Sequence, residues 1–206
     1  MCQGEVWWRA EFHLGQRTAW KPSLHREISK LEGIIMSRKT SMDKYLKRAV
    51  ELGAIDAKLI SADSVVTAAW VRIKCQFGCG GFGQCLTCPP HSPTPEKTAE
   101  ILRCYQKALL LHGSDHCDMS EMAVMIEREI FLDGYYKAFA MGAGPCRLCS
   151  KCKIANNECA NPEKARPAME ACGIDVFQTA RNNGFHIEVV KNESCRQNYF
   201  SLVLIE

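Results

Sequence analysis

The chain has 206 residues, 47% of them apolar, enough for one packed core and no obligatory second domain. Its 26 basic and 23 acidic residues leave a net charge of +3, small for this length, which gives no support for a nucleic-acid-binding face. The start "MCQGEVWWRAEFHLGQ" lacks the basic-then-apolar order of a signal peptide, and no window offers the roughly 20 uninterrupted apolar residues that cross a bilayer. The expectation is a cytoplasmic protein that binds neither nucleic acid nor membrane.

In chain order, residues 1–35 hold Trp7, Trp8 and Trp20 among scattered charges with no sustained period. They read either as a poorly packed extension upstream of a natural start at Met36, or as an N-terminal arm with aromatic anchors. Residues 36–206 form the domain proper. Ser41 or Asp43 opens a helix with Leu46, Ala49, Val50 and Leu52 as its apolar stripe, closed by Gly53. Residues 57–61 and 64–74 are rich in β-branched residues and read as strands. Thr94 and Pro95 give an N-cap and first helical position, and 106–113 is a buried strand. Strand, loop, helix and strand in that order suggest a crossover unit.

Residues 118–141 form the longest helical stretch, with Met122, Met125, Ile126, Ile130 and Phe131 on one face; its methionines read as core filler. Asn161-Pro162 caps a short helix that Gly173 closes. Asp175 to Gln178 is a capping box for another helix, which "NNG" at 182–184 ends. Residues 185–190 and 198–206 look like closing strands. The whole reads as α+β, loosely α/β: a single mixed sheet with packed helices and two inserted cysteine-rich loops.

Thirteen cysteines are far more than ordinary usage. In a reducing compartment clustered thiols serve metals more often than disulfides, and an odd count leaves at least one unpaired. The second block, "PCRLCSKCKIANNECAN", places Cys146, Cys149 and Cys152 at two-residue spacings, with Cys159 after a six-residue excursion. Four thiolates suit a [4Fe–4S] cluster or a tetrahedral zinc ion, and the C-x2-C-x2-C run is closer to ferredoxin ligation than to paired zinc knuckles. Backbone N–H groups of such tight turns can point at the sulfurs. Arg147, Lys151, Lys153, Lys164 and Arg166 lie in or just beyond the block, where cations make a reduced cluster less costly.

The first block supplies Cys75, Cys79, Cys85 and Cys88. Residues 78–83 spell G-x-G-x-x-G, yet Pro89-Pro90 follows where a dinucleotide fold needs a helix, so the glycines are assigned to a loop wrapping a metal. Either all four cysteines make a second site, or Cys75, Cys79 and Cys88 do so with Cys85 spare and an open position for water, substrate or His91. Cys104 and Cys172 read as buried helical thiols, and Cys117 beside His116 as a weak candidate nucleophile pair.

The two blocks together, with the strand between them, resemble a cysteine-rich family of predicted metal-binding proteins of unknown function from anaerobic bacteria and archaea. The resemblance runs from about Leu46 to Leu204. Its pattern falls on Cys75, Cys79 and Cys88-Pro89-Pro90, then on Cys146, Cys149, Cys152, Cys159, Pro162, Arg166-Pro167, Met169-Glu170 and Gly173-Ile174-Asp175. Cys85 and Gly80-Gly81 depart from it. The resemblance implies metal binding and supplies no reaction.

Three functions follow as expectations. The first is an iron–sulfur protein passing single electrons to a protein redox partner. The second is a zinc-stabilised interaction or scaffold protein without a redox role. The third is an enzyme using an open metal position at the first block. The chain has no H-E-x-x-H, P-loop or serine elbow, which disfavours stand-alone hydrolysis and phosphoryl transfer.

Overall fold

The computed structural model describes residues 42–192 and 195–206. The expectations for residues 1–35 and Ser41 lie outside them. Within the described residues, five α-helices surround one four-stranded sheet. The helices are α1 (Asp43–Glu51), α2 (Ala69–Gly78), α3 (Pro95–Leu102), α4 (Met119–Leu132) and α5 (Val176–Asn182). The strands are β1 (Asp56–Ser61), β2 (Lys107–Gly113), β3 (Phe139–Met141) and β4 (Tyr199–Leu204). The class is α+β as expected, with a sheet that is antiparallel throughout rather than mixed, in the order β1-β2-β4-β3. No parallel crossover forms, because the segment after β1 folds back so that β2 runs against it.

The run "KALLLHG" is apolar at successive positions because β2 is a central strand covered on both faces. Ala108 and Leu110 join one buried cluster with Ile60, Met169, Ile174, Phe200 and Leu202. Leu109 and Leu111 join the other with Tyr45, Ala49, Met122, Ile126 and Val203. Thus α1 and α4 cover one face of the sheet, while α5 and the turn before it cover the other.

Four local expectations change. In α1 the buried pair is Tyr45 and Ala49, at i and i+4, while Val50 is 54% exposed. Of residues 64–74 only the β-branched start is extended: Thr67 bridges Ile174, Ala68 caps in extended geometry, and α2 begins at Ala69. The long helical stretch stops at Leu132, because Gly134 adopts φ +101 and turns the chain; residues 139–141 become β3. On α4 the buried face is Met122, Ile126 and Ile130, with Met125 and Phe131 exposed.

Residues 185–190 keep the alternation of a strand, Phe185 and Ile187 inward and His186 and Glu188 outward, but they join no ladder. β4 already has β2 and β3 on its two sides. The caps at Thr94 and Asp175 form as expected, accepting from the N–H groups of Lys97 and Gln178. The short helix before Gly173 is a single 3-10 turn, Glu170–Cys172.

Candidate metal centre

The first block hangs from the end of α2. Cys75 lies in its last turns and Cys79 follows it in extended geometry, so the two thiols are about one helical turn apart. The chain then turns back on itself: Gly83 N–H donates to Pro89 O at 2.7 Å, and Cys88 N–H to Cys85 O at 3.0 Å. The Pro89–Pro90 peptide is cis. Arg72 pins the far end of the loop, donating to Ser92 Oγ at 2.9 Å, Pro93 O at 3.1 Å and Ala171 O at 2.8 Å.

The second block leaves the sheet through a closed neck after β3. Gly142 N–H donates to Pro167 O at 2.8 Å, and Met169 N–H donates to Gly142 O at 3.0 Å. Beside this neck Arg166 makes a two-pronged pair with Glu127 of α4, at 2.7 and 2.6 Å, with the side chains only 13% and 12% exposed. Arg166 also donates to Pro162 O and Ala165 O. This guanidinium is therefore a structural clamp, not a free cation for the cysteines.

The loops meet. One cavity of about 170 Å³ is lined by Cys146, Cys149, Cys152 and Cys159, and by Cys85 from the first block. Lys151 and Lys153 stand on its wall, whereas Arg147 and Lys164 line a neighbouring cavity behind Cys146. The Cys85 thiol is 3.7 Å from Cys146 O, and the next residue, Leu86, donates its backbone N–H to Cys152 Sγ at 3.5 Å. Asn161 Nδ2 donates to Cys149 Sγ at 3.1 Å. At this cavity the sulfur-directed donors come from the opposite loop and from a side chain, while in the first block Gly81 N–H donates to Cys79 Sγ at 3.4 Å. Sequence reading did not find them, and took Asn161 only as a helix cap.

Cys75, Cys79 and Cys88 do not line this cavity, although the Cys88 thiol is in hydrogen-bond contact with Cys85. A Cβ on Gly81 would sit 3.5 Å from Cys79 Sγ, 3.7 Å from Cys88 Sγ and 3.3 Å from Pro145 Cβ, so this glycine leaves a cradle between two sulfurs. His91 faces away. It lines a separate, largely apolar cavity with Leu86, Thr87, Tyr105 and Met141.

The remaining thiols stand apart. Cys172 is buried as expected, while Cys104 is exposed. Cys117 donates to Gly53 O, and its neighbour His116 lies beside Asp115, so no Cys–His pair is formed. All twelve described cysteines are free thiols.

Burial pushes the Cys85 thiol pKa up, with Cys152 and Cys146 beside it adding to the shift. Burial raises Cys75 too, followed by the effect of Cys79, and lifts Cys88 to about 11. These thiols hold their protons at neutral pH, so a thiophilic ligand must displace them.

Among the described residues no three His, Cys, Asp or Glu side chains are gathered closely enough to hold a single metal ion. The thiols line walls instead of converging on a point. The donor set fits a thiophilic group: sulfur ligands, N–H donors aimed at sulfur, two lysines on the wall, and the space left by Gly81.

A family model described as "Predicted metal-binding protein (DUF2284)" matches residues 58–205. The chain belongs to that family. The match covers both cysteine blocks and runs from within β1 to just past β4, so what makes this chain a member of DUF2284 is the sheet together with the loops it carries. No curated protein and no solved structure matches the chain.

Proposed function

We propose that this member of the family holds a [4Fe–4S] cluster through Cys146, Cys149, Cys152 and Cys159 and exchanges single electrons with a protein partner. The observation that carries the reading is the common cavity on which all four thiols open, with Lys151 and Lys153 at its edge. When bound, such a cluster supplies one-electron chemistry. The chain's own residues do the rest. The N–H groups of Leu86 and Asn161 stabilise negative charge on Cys152 and Cys149, and the two lysines lower the cost of a further electron.

A partner protein is supported by α2. Trp70, Ile73 and Phe77 follow one another along its outer face and are 46%, 58% and 79% exposed, beside Cys75. Among the described residues no helix is long and apolar enough to cross a membrane.

Anaerobic purification followed by iron and acid-labile sulfide analysis tests the reading. The expected protein is brown, carries iron and sulfide in equal amounts, and gives an EPR signal on dithionite reduction. Colourless protein with stoichiometric zinc would replace this reading with a zinc-stabilised interaction protein.

A further inference from the structure

We infer that Cys85 and Cys88 form a redox-active dithiol, which exchanges two electrons with disulfide and thiol substrates by closing and opening a bond between its own two sulfurs. The inference goes beyond the iron–sulfur reading and does not depend on it.

Three observations carry it. First, the two thiols are free and in hydrogen-bond contact with each other. Second, the backbone holds them together before any bond forms. Cys88 N–H donates to Cys85 O at 3.0 Å, and Gly83 N–H donates to Pro89 O at 2.7 Å, so the chain enters and leaves the turn at one place. Arg72 fixes the exit through Ser92 and Pro93. Third, the pair is asymmetric, as thiol–disulfide exchange requires. Cys85 is half-buried beside the exposed Gln84, whereas Cys88 is only 6% exposed. Burial raises the Cys85 thiol pKa, and the contact with Cys88 pulls the other way, favouring the thiolate that attacks.

The chemistry balances within the pair and its substrate. The Cys85 thiolate attacks a substrate disulfide: a mixed disulfide forms on Cys85, the substrate's S–S bond breaks, and one substrate thiol leaves. Cys88 then loses its proton and attacks the Cys85 sulfur, and the second substrate thiol leaves. The pair has given up two electrons and two protons, and the substrate has gained both. A thiol reductant returns them by the reverse exchange. Closing the bond takes both sulfurs out of the set open to a metal at the first block.

The test exposes the full chain, purified anaerobically, to 2-hydroxyethyl disulfide at about pH 8.5, where thiols exchange readily. Remaining thiols are alkylated, and chymotryptic cleavage after Phe82 and Leu86 then puts the two cysteines on separate peptides. Expected is a disulfide joining these peptides, lost again on treatment with dithiothreitol. Cys88→Ser should retain one mercaptoethanol on Cys85 as a mixed disulfide, and Cys85→Ser should leave Cys88 unmodified. Two separately alkylated peptides, or Cys88 joined to Cys79 across the Gly81 cradle, overturns the assignment. So does modification of Cys88 in the Cys85→Ser variant. Circular dichroism checks that the variants fold, and the unsubstituted chain decides the pairing if they do not. Iron and sulfide analysis of the same protein keeps the two readings apart: a chain without iron that still links Cys85 to Cys88 loses the cluster and keeps the dithiol.

Discussion

Gly81 and Gly80 are neighbours with opposite surroundings. A side chain at Gly81 meets two sulfurs and Pro145, whereas at Gly80 nothing lies within 4 Å. Gly81→Ala is therefore expected to weaken metal uptake at the first block by about tenfold, in the range seen when groups around a metal's ligands are disturbed. Gly80→Ala should leave it unchanged, and a cobalt titration compares the two.

At the same scale, Cys172 is buried in the core and its pKa is pushed up to about 12, chiefly by burial. Above about pH 9 the unfolded thiol gives up its proton while the folded one keeps it. The folded state then binds more protons, and stability falls as pH rises toward 12. Urea denaturation of the metal-free chain at pH 8 and pH 10 should show that loss. Cys172→Ala should reduce the slope by at most about 1.4 kcal/mol per pH unit.

At the scale of elements, the cysteine loops are positioned by arginines that touch no sulfur. Arg72 ties the first loop to the Glu170–Cys172 turn, and Arg166 ties the second to α4. Arg166→Ala leaves Glu127 largely buried, still accepting only from Ala140 N–H, and is expected to cost about 3 kcal/mol. A lowered denaturant midpoint with an unchanged slope is the measurement that checks it.

The turn before α5 is equally constrained. Gly173 has φ +77, and a Cβ there would lie 2.8 Å from Pro95 Cβ and 3.0 Å from Pro95 Cα. Gly173→Ala combines left-handed strain with a backbone collision, so a loss above about 2 kcal/mol is expected in the same assay. Gly173 was legible as a stop. That it stands against the first residue of α3, 78 positions earlier, was not, since no local pattern records a contact between distant segments.

For the molecule as a whole, the two apolar clusters on the faces of the sheet contain none of the eight block cysteines. Folding of the sheet is thus separable from metal binding, unlike in a zinc finger, where the metal supplies the core. Hydrogen exchange on the loaded and metal-free chain should show β2 and β4 protected in both. Amides around 79–88 and 146–159 should exchange faster once metal is removed.

Short-range physics made much of this visible from residue order alone. The caps at Thr94 and Asp175, the doubly covered run of β2, the α+β class and the thiol-dense second block all depend on neighbours a few positions apart. The same short range explains the stop missed at Gly134, where a helix-compatible pattern on either side hid a residue in left-handed conformation. What only the tertiary structure decided is partnership. The sheet became antiparallel because of how the chain returned after β1. Residues 185–190 found no edge because β4 was already flanked. Cys85 lines the cavity of the second block because its loop packs against Cys146 and Cys152. Spacing along the chain limits which thiols can reach one another, but which ones do is set by packing between segments some sixty residues apart, and that information is spread over the whole fold.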